Sequence, residues 1–310
     1  MAVEANPAAQ AGATGAAATT GRGTLALPQA AAQRLPGERR NALGTIGLYA
    51  ALIVLSALFT IPFLWLVLTS LRPPDEVFAP GFFPSEIHWK NYTDVFRFAP
   101  VATWFRNSLI ISALAVASTV LSSSLVAYGF ARLRFPGRKQ IFGLVMATQL
   151  MPGAATMVPT YLIWNKLHAV NTFFPLWAGN LFGSAFYIFM LRQFLLAIPQ
   201  DLVEAARIDG ASYFGIYWRI MLPLIKPALV AVAIFEFQAK WNDFMGPLIY
   251  LNKVDLYPLA LGLQTFKVEH DTNWALLMAA SVIFTLPMIA LFFAFQRYFI
   301  EGISTTGLKS

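Results

Sequence analysis

Six apolar stretches, each about as long as a helix must be to cross a membrane, constrain this chain more than any other feature. They cover approximately residues 44–71, 107–130, 140–161, 173–196, 227–251 and 274–297. A hydrocarbon core of roughly 30 Å takes about 20 helical residues. The runs are continuous rather than alternating, and a helix satisfies its own backbone hydrogen bonds, so helices are expected and a barrel is not. With 57% hydrophobic and only 12% charged residues, the composition is far from that of soluble domains. The expected fold is an all-α integral membrane protein with six transmembrane helices.

The segments between the spans follow from composition. Residues 1–42 are rich in Ala, Gly and Thr and nearly devoid of large apolar side chains, which predicts a disordered tail. It does not read as a signal peptide, because the first apolar run begins only near Gly44 and is too long for one. Residues 43–71 are then expected to form a first transmembrane helix, 72–106 an extracytoplasmic segment and 107–310 the remaining five spans, with a long polar cytoplasmic loop at 198–227. Segment 72–106 carries Pro73, Pro74, Pro80, Pro84, Trp89, Tyr92 and Trp104, a composition for an interfacial anchor or for contact with an external partner.

A net charge of +7 raises the question of nucleic acid until the charges are located. Placing the tail in the cytoplasm puts fourteen of the 22 Lys and Arg residues inside, including Arg132, Arg134, Arg138 and Lys139 in one short flank. Seven fall outside: Arg72, Lys90, Arg97, Arg106, Lys166, Lys253 and Lys267. Both termini are therefore expected in the cytoplasm, and the basic balance reads as topology rather than nucleic-acid binding. There are no cysteines, which excludes disulfides and thiolate chemistry. His88, His168 and His270 are isolated, so no histidine metal site is expected.

Within 198–227, Pro199 suits the first turn of a short helix, with Asp201 and Glu204 near its positive end. Gly210 supplies a residue able to take the left-handed conformation that stops it. A turn and a second amphipathic stretch ending at Pro223 and Pro227 follow. Ala205 and Ala206 leave a low surface for close approach, and Glu204, Arg207 and Asp209 offer directional polar contacts. Taken alone, these residues fit a docking knob and a simple connector equally.

The whole pattern is more specific. E-A-A-x-x-D-G-A beginning at Glu204, then Ile220, Leu222, Pro223 and Pro227, resembles the loop of permease subunits of binding-protein-dependent ABC importers. Similarity runs from about Asn107 to the C-terminus and has the flavour of the carbohydrate-uptake group, like the maltose-type six-span permease. It is carried by Met151 and Pro152 with Pro159, Thr160 and Tyr161, by Trp241, Asn242, Asp243 and Phe244 with Pro247, by Met278, Ala279, Ala280 and Ser281, and by Gln296, Arg297, Tyr298 and Phe299 through Gly302 to Lys309. Lys166, Leu167 and His168 depart from a usual glycine-containing turn, and the chain ends at Lys309 and Ser310 where a glycine is common.

The resemblance implies a type I importer fold with a peripheral first helix and a five-helix core, in a bacterial or archaeal cell membrane. It makes the loop a coupling helix for a separate ATPase, carried over to Glu204, Ala205, Ala206, Asp209, Gly210, Leu222 and Pro223. It also implies a second homologous permease, two nucleotide-binding subunits carrying ATP and magnesium, an extracytoplasmic solute-binding protein and a carbohydrate substrate. No cofactor is implied on this chain. In keeping with that, the sequence has no G-x-x-x-x-G-K-[ST] phosphate loop, and Gly21-x-Gly23 lies in the low-complexity tail without a strand or helix around it.

Three ionisable residues of the fifth span, Glu236, Lys240 and Asp243, share one helical face at spacings that allow mutual neutralisation. Charges at membrane depth face protein or a water-filled path, so this face reads either as an ion-pair ladder or as a border of the solute path. Trp241 and Asn242 add a flat ring and an amide suited to a sugar, and Asn180 in the fourth span is a further candidate for the solute path. Gly179 and Gly183 form G-x-x-x-G, the signature of close helix packing. Pro152, Pro159 and Pro287 are candidate kinks. Two rival functions have sequence consequences. An ion-coupled secondary transporter would use Glu236 and Asp243 and show an inverted repeat, which is not evident. An intramembrane enzyme would need a nucleophile or metal motif such as G-x-S-x-G or H-E-x-x-H, and neither occurs.

Overall fold

A computed structural model describes residues 42–267 and 273–307, with side chains from 44–267 and 273–296. The expected tail, His270 and the terminal Lys309 and Ser310 lie outside the described residues. The described chain is helical throughout, without a strand. It divides into two units, Met1–Leu55 and Ser56–Ser310. Of the first, the described part is the opening half of α1 (Ala42–Ser70), whose large apolar side chains such as Ile46, Ile53 and Val54 are exposed.

In the second unit the chain continues through α2 (Lys90–Phe98), α3 (Val101–Arg132), α4 (Arg138–Thr148), α5 (Gly153–Lys166) and the short α6 (Phe174–Trp177). A 3-10 segment (Ala178–Phe182) leads into α7 (Ala185–Ala197), followed by α8 (Asp201–Ile208) and α9 (Tyr213–Ile216). A π-turn (Tyr217–Met221) and α10 (Leu222–Leu224) precede α11 (Lys226–Trp241), α12 (Met245–Tyr250), α13 (Leu259–Gly262) and α14 (Trp274–Gly307).

Four segments are long and apolar enough to cross a membrane: Gly44–Ser70, Val101–Arg132, Phe174–Ala197 and Trp274–Gln296. Two further candidates are bent pairs, α4 with α5 at 96° and Tyr213–Leu224 with α11 at 78°. Thus the run expected at 140–161 is not one straight helix. Met151 precedes Pro152, which biases it away from helical geometry, and Pro152 itself is extended at ψ 132°. The bend before α11 falls at Ile225, between Pro223 and Pro227; Pro227 has no N–H to offer the Pro223 carbonyl. Pro159 and Pro287, by contrast, sit inside continuous helices. The helix expected from residue 107 starts at Val101, so α3 is about 48 Å long at 1.5 Å per residue. His168 adopts φ 53°, the left-handed conformation a glycine accepts without strain, at the turn where the family pattern has one.

α3 is the central post, packed by α7, α11 and the 3-10 segment, while α14 packs on α2 and α11. One core cluster gathers Tyr128, Leu191, Leu195, Val203, Ala206, Ile216 and Met221 around one end of α3. A second gathers Val95, Trp104, Trp241, Leu259 and Phe266 near the other end. There Trp104 Nε1 donates to the Val254 carbonyl at 2.9 Å and Asn107 Nδ2 to Asp255 at 2.8 Å, so α3 organises the segment before α14. α4 and α5 contain no buried residue, and Leu144, Val158 and Ile163 project from them.

Candidate functional site

The short helix in the polar loop forms close to the expected place. α8 opens at Asp201, two residues after Pro199, with the amides of Val203 and Glu204 bonded to the Gln200 carbonyl. Its end is a Schellman motif: Ala211 N donates to Ala206 O at 2.9 Å and Gly210 N to Arg207 O at 3.1 Å, with Gly210 at φ 83°. The left-handed stop expected of Gly210 is therefore present. Arg207 stacks over Tyr213 at 4.4 Å and donates to the Ala211 carbonyl, and Ser212 caps α9 by accepting from Gly215 N at 3.0 Å.

α8 has two faces. Val203 and Ala206 are buried in the core cluster with Ile216 and Tyr217, whereas Glu204, Ala205, Asp209 and Gly210 are exposed. Leu222 packs against the same cluster and Pro223 is exposed. Sequence reasoning missed the anchor. Arg132, counted as a topological charge, is buried and reaches across from α3, its Nη1 donating to Gln200 Oε1 at 2.7 Å and Nη2 to the Ile198 carbonyl at 2.6 Å and the Leu195 carbonyl. The π-turn ends in a bond from Leu222 N to Tyr217 O, an irregularity often found at functional positions.

The second site is a polar cleft of about 350 Å³ lined by Thr119, Asn180, Ser184, Glu236, Lys240 and Asp243 together with Gly179 and Gly183. Glu236 is buried and accepts a hydrogen bond from Asn180 Nδ2, which also donates to Thr119 Oγ1 at 2.8 Å; Tyr187 interacts with the same carboxylate. Ser122 donates to the Asn180 carbonyl at 2.8 Å, and Ser184 N donates to Ser123 Oγ at 3.1 Å. Thr119, Ser122 and Ser123, at helical spacing on α3, were the signal that sequence reasoning passed over.

Several expectations are corrected here. Among the described residues the only ion pair is Asp94–Arg97, so Glu236, Lys240 and Asp243 do not neutralise one another: Glu236 turns to Asn180, and Asp243 Oδ1 accepts from Gly246 N. Trp241 presents no surface to a sugar. It is buried, stacked on Phe237 and Phe284, and donates to the Phe284 carbonyl at 3.0 Å. Asn242 is exposed and donates to the Gln238 carbonyl of its own helix at 2.8 Å. Gly179 and Gly183 do not form a helix seam, because Gly179 lies in the 3-10 segment and Gly183 is a turn at φ 81°. A Cβ at Gly183 would meet Ile188 Cδ1 at 3.0 Å. We expect Gly183→Ala to cost about 1–3 kcal/mol through backbone strain, measured as a lower thermal midpoint in detergent; an unchanged midpoint would show that the turn relaxes.

The family profile described as "Binding-protein-dependent transport system inner membrane component" matches residues 120–305. The chain is 38% identical over 270 residues to an arabinooligosaccharides transport system permease protein of Halalkalibacterium halodurans, covering 86% of this chain and 95% of that one. It is 32% identical to a melibiose/raffinose/stachyose import permease protein of Bacillus subtilis, covering 87% and 98%. In fold it is similar to a chain of a bacterial ABC transporter involved in import of the acidic polysaccharide alginate, with TM-score 0.75 at 21% identity over 84% of this chain and 98% of the other. The broken spans, the capped loop helix and the match over more than half its length together show that this chain belongs to the inner-membrane permease components of binding-protein-dependent ABC importers.

Proposed function

We propose that this chain is a permease subunit of an ATP-driven importer of a sugar or related carbohydrate, with both termini cytoplasmic. The relatives carry oligosaccharide transporters' names, and the positive-charge bias supports the topology. It works with a second homologous permease and two nucleotide-binding subunits that hold ATP and magnesium, and it receives solute from an extracytoplasmic binding protein. One neighbour in fold is an alginate transporter in complex with an alginate-bound periplasmic protein. The bare apolar surface of α5 suits a permease partner.

The observation that carries the reading is the split character of α8: a rigidly stopped exposed face of Glu204, Ala205, Asp209 and Gly210 rooted through Val203, Ala206 and Arg132 in the core shared by α3 and α7. Movement of a docked ATPase is thereby passed to the spans rather than absorbed by a loose loop. Work enters as a difference in partner contacts between two states of the bundle. The polar cleft beside Glu236 lies among the spans that such a movement would rearrange, and its size falls within the range of small-molecule sites.

Gly210→Val tests this. Space is open around the Gly210 Cβ position, so the substitution acts through φ 83° alone, at a cost of about 1–2 kcal/mol. Both ATP-dependent uptake and co-purification of the nucleotide-binding subunits should fall, while Gly210→Asn, which tolerates the left-handed region, should retain them. Normal uptake with normal association in the valine variant would sink the coupling assignment. Uptake that persists without ATP would point to ion coupling instead.

A further inference from the structure

The basic turn between α3 and α4 touches the coupling loop through Arg134, which lines a cavity of about 320 Å³ with Glu204 and Arg207, but its remaining features are explained by neither that loop nor the cleft. Arg134, Arg138 and Lys139, with Phe135 and Gln140, line a pocket of about 280 Å³ at the end of two spans. Arg192 approaches from α7: its guanidinium lies 4.4 Å from the Phe142 ring centroid, its Nε donates to the Phe130 carbonyl, and it feels the charge of Arg138. Arg192 stands outside the pocket lining, and its charge adds to the positive potential there. No acidic side chain pairs with any of them among the described residues. A cluster of cations held together without a counter-charge favours an anion.

The neighbours define what kind. Phe130 packs on Phe135 and Phe142, and Phe135, Ile141 and Leu144 are exposed beside the pocket. A soluble anion has no use for an apolar strip running away from its site, and a protein surface of acidic residues would be poorly served by one. A phosphate with acyl chains uses both parts. We propose that this pocket is a binding site for an anionic phospholipid, with its phosphate held by Arg138, Lys139 and Arg134 and a chain lying along Ile141 and Leu144. Basic pockets between spans at a membrane face have the required chemistry. Charges that served only to orient the protein would have no need to line a cavity.

The test uses the complete transporter complex, extracted from vesicles of phosphatidylglycerol and phosphatidylcholine and weighed by native mass spectrometry. Wild type should retain phosphatidylglycerol in preference, and Arg138→Gln with Lys139→Gln should reduce that preference by about tenfold or more. Equal retention by the two proteins would overturn the proposal. So would displacement of the lipid by millimolar inorganic phosphate, which would make the site one for the free anion. Loss of the nucleotide-binding subunits with lipid retention unchanged would make the turn a protein contact. Because removing these charges can disturb insertion, a second measurement uses the unaltered complex with a phosphatidylglycerol bearing a photoreactive acyl chain. Cross-links should concentrate on residues 135–144, and an even spread over all spans would again overturn the site. Neither readout is uptake, so failure here leaves the permease reading untouched.

Discussion

Arg132→Met is expected to lower the stability of the assembled bundle by about 1.5–3 kcal/mol, the range for losing hydrogen bonds from a charged donor. The guanidinium sits 8% exposed at the end of α3 and serves Gln200, Ile198 and Leu195 at once. The Leu195 carbonyl belongs to the last turn of α7, where it also accepts from Ile198 N at 3.3 Å, and a cation there suits the helix dipole. Methionine fills the space but returns none of these bonds. Lysine, a point charge without a planar fork, should recover less than half of the loss. Thermal unfolding in detergent measures the cost, and protease cleavage within residues 198–212 reports whether the loop has come loose. A methionine variant within about 1 kcal/mol of wild type would show that water replaces the arginine.

Why this anchor escaped sequence reading while the loop helix did not is a matter of range. The stop at Gly210 and the acidic first turn depend on neighbours within a few residues, and local chemistry of that kind is written directly in the chain. Arg132 and Gln200 lie 68 residues apart, and nothing in either flank marks them as partners. The same distinction applies to the spans. Apolar length placed four of the expected spans and the two bent pairs near the others, but it carries no direction, so three prolines looked alike as kinks although only Pro152 stands at a 96° break.

Residue type misled in the cleft for a related reason. Gly179 and Gly183 have the spacing of a helix seam, yet spacing has that meaning only if the helix continues, and Gly183 at φ 81° ends it. Trp241 has the ring a sugar would use, but Phe237 and Phe284 already occupy its faces. What the three acidic and basic residues of this span did reveal is that the region is polar at depth, and Glu236, Lys240 and Asp243 all line the cleft.

Glu236 is the point at which that cleft is most exposed to test. Through Asn180 its carboxylate is tied to Thr119 of α3, and through Tyr187 to α7, so one side chain on α11 joins three walls of the cleft. Glu236→Ala removes a hydrogen bond to a charged group, about 1.5–3 kcal/mol, and leaves Asn180 without that acceptor. If the cleft belongs to the solute path, uptake should fall by roughly tenfold or more, and Glu236→Gln, which keeps an acceptor oxygen, should fall less. Association with the nucleotide-binding subunits should be unchanged in both, since α8 is anchored through Arg132 and the separate cluster around Ile216. Lys240, on the same rim and in no ion pair, adds a finer readout: Lys240→Met should shift preference among neutral and acidic sugars with less effect on the rate for the best substrate. Loss of ATPase association in Glu236→Ala would mean that the buried carboxylate holds the bundle together. Retained association with normal uptake would place the solute elsewhere, on a surface completed by the second permease.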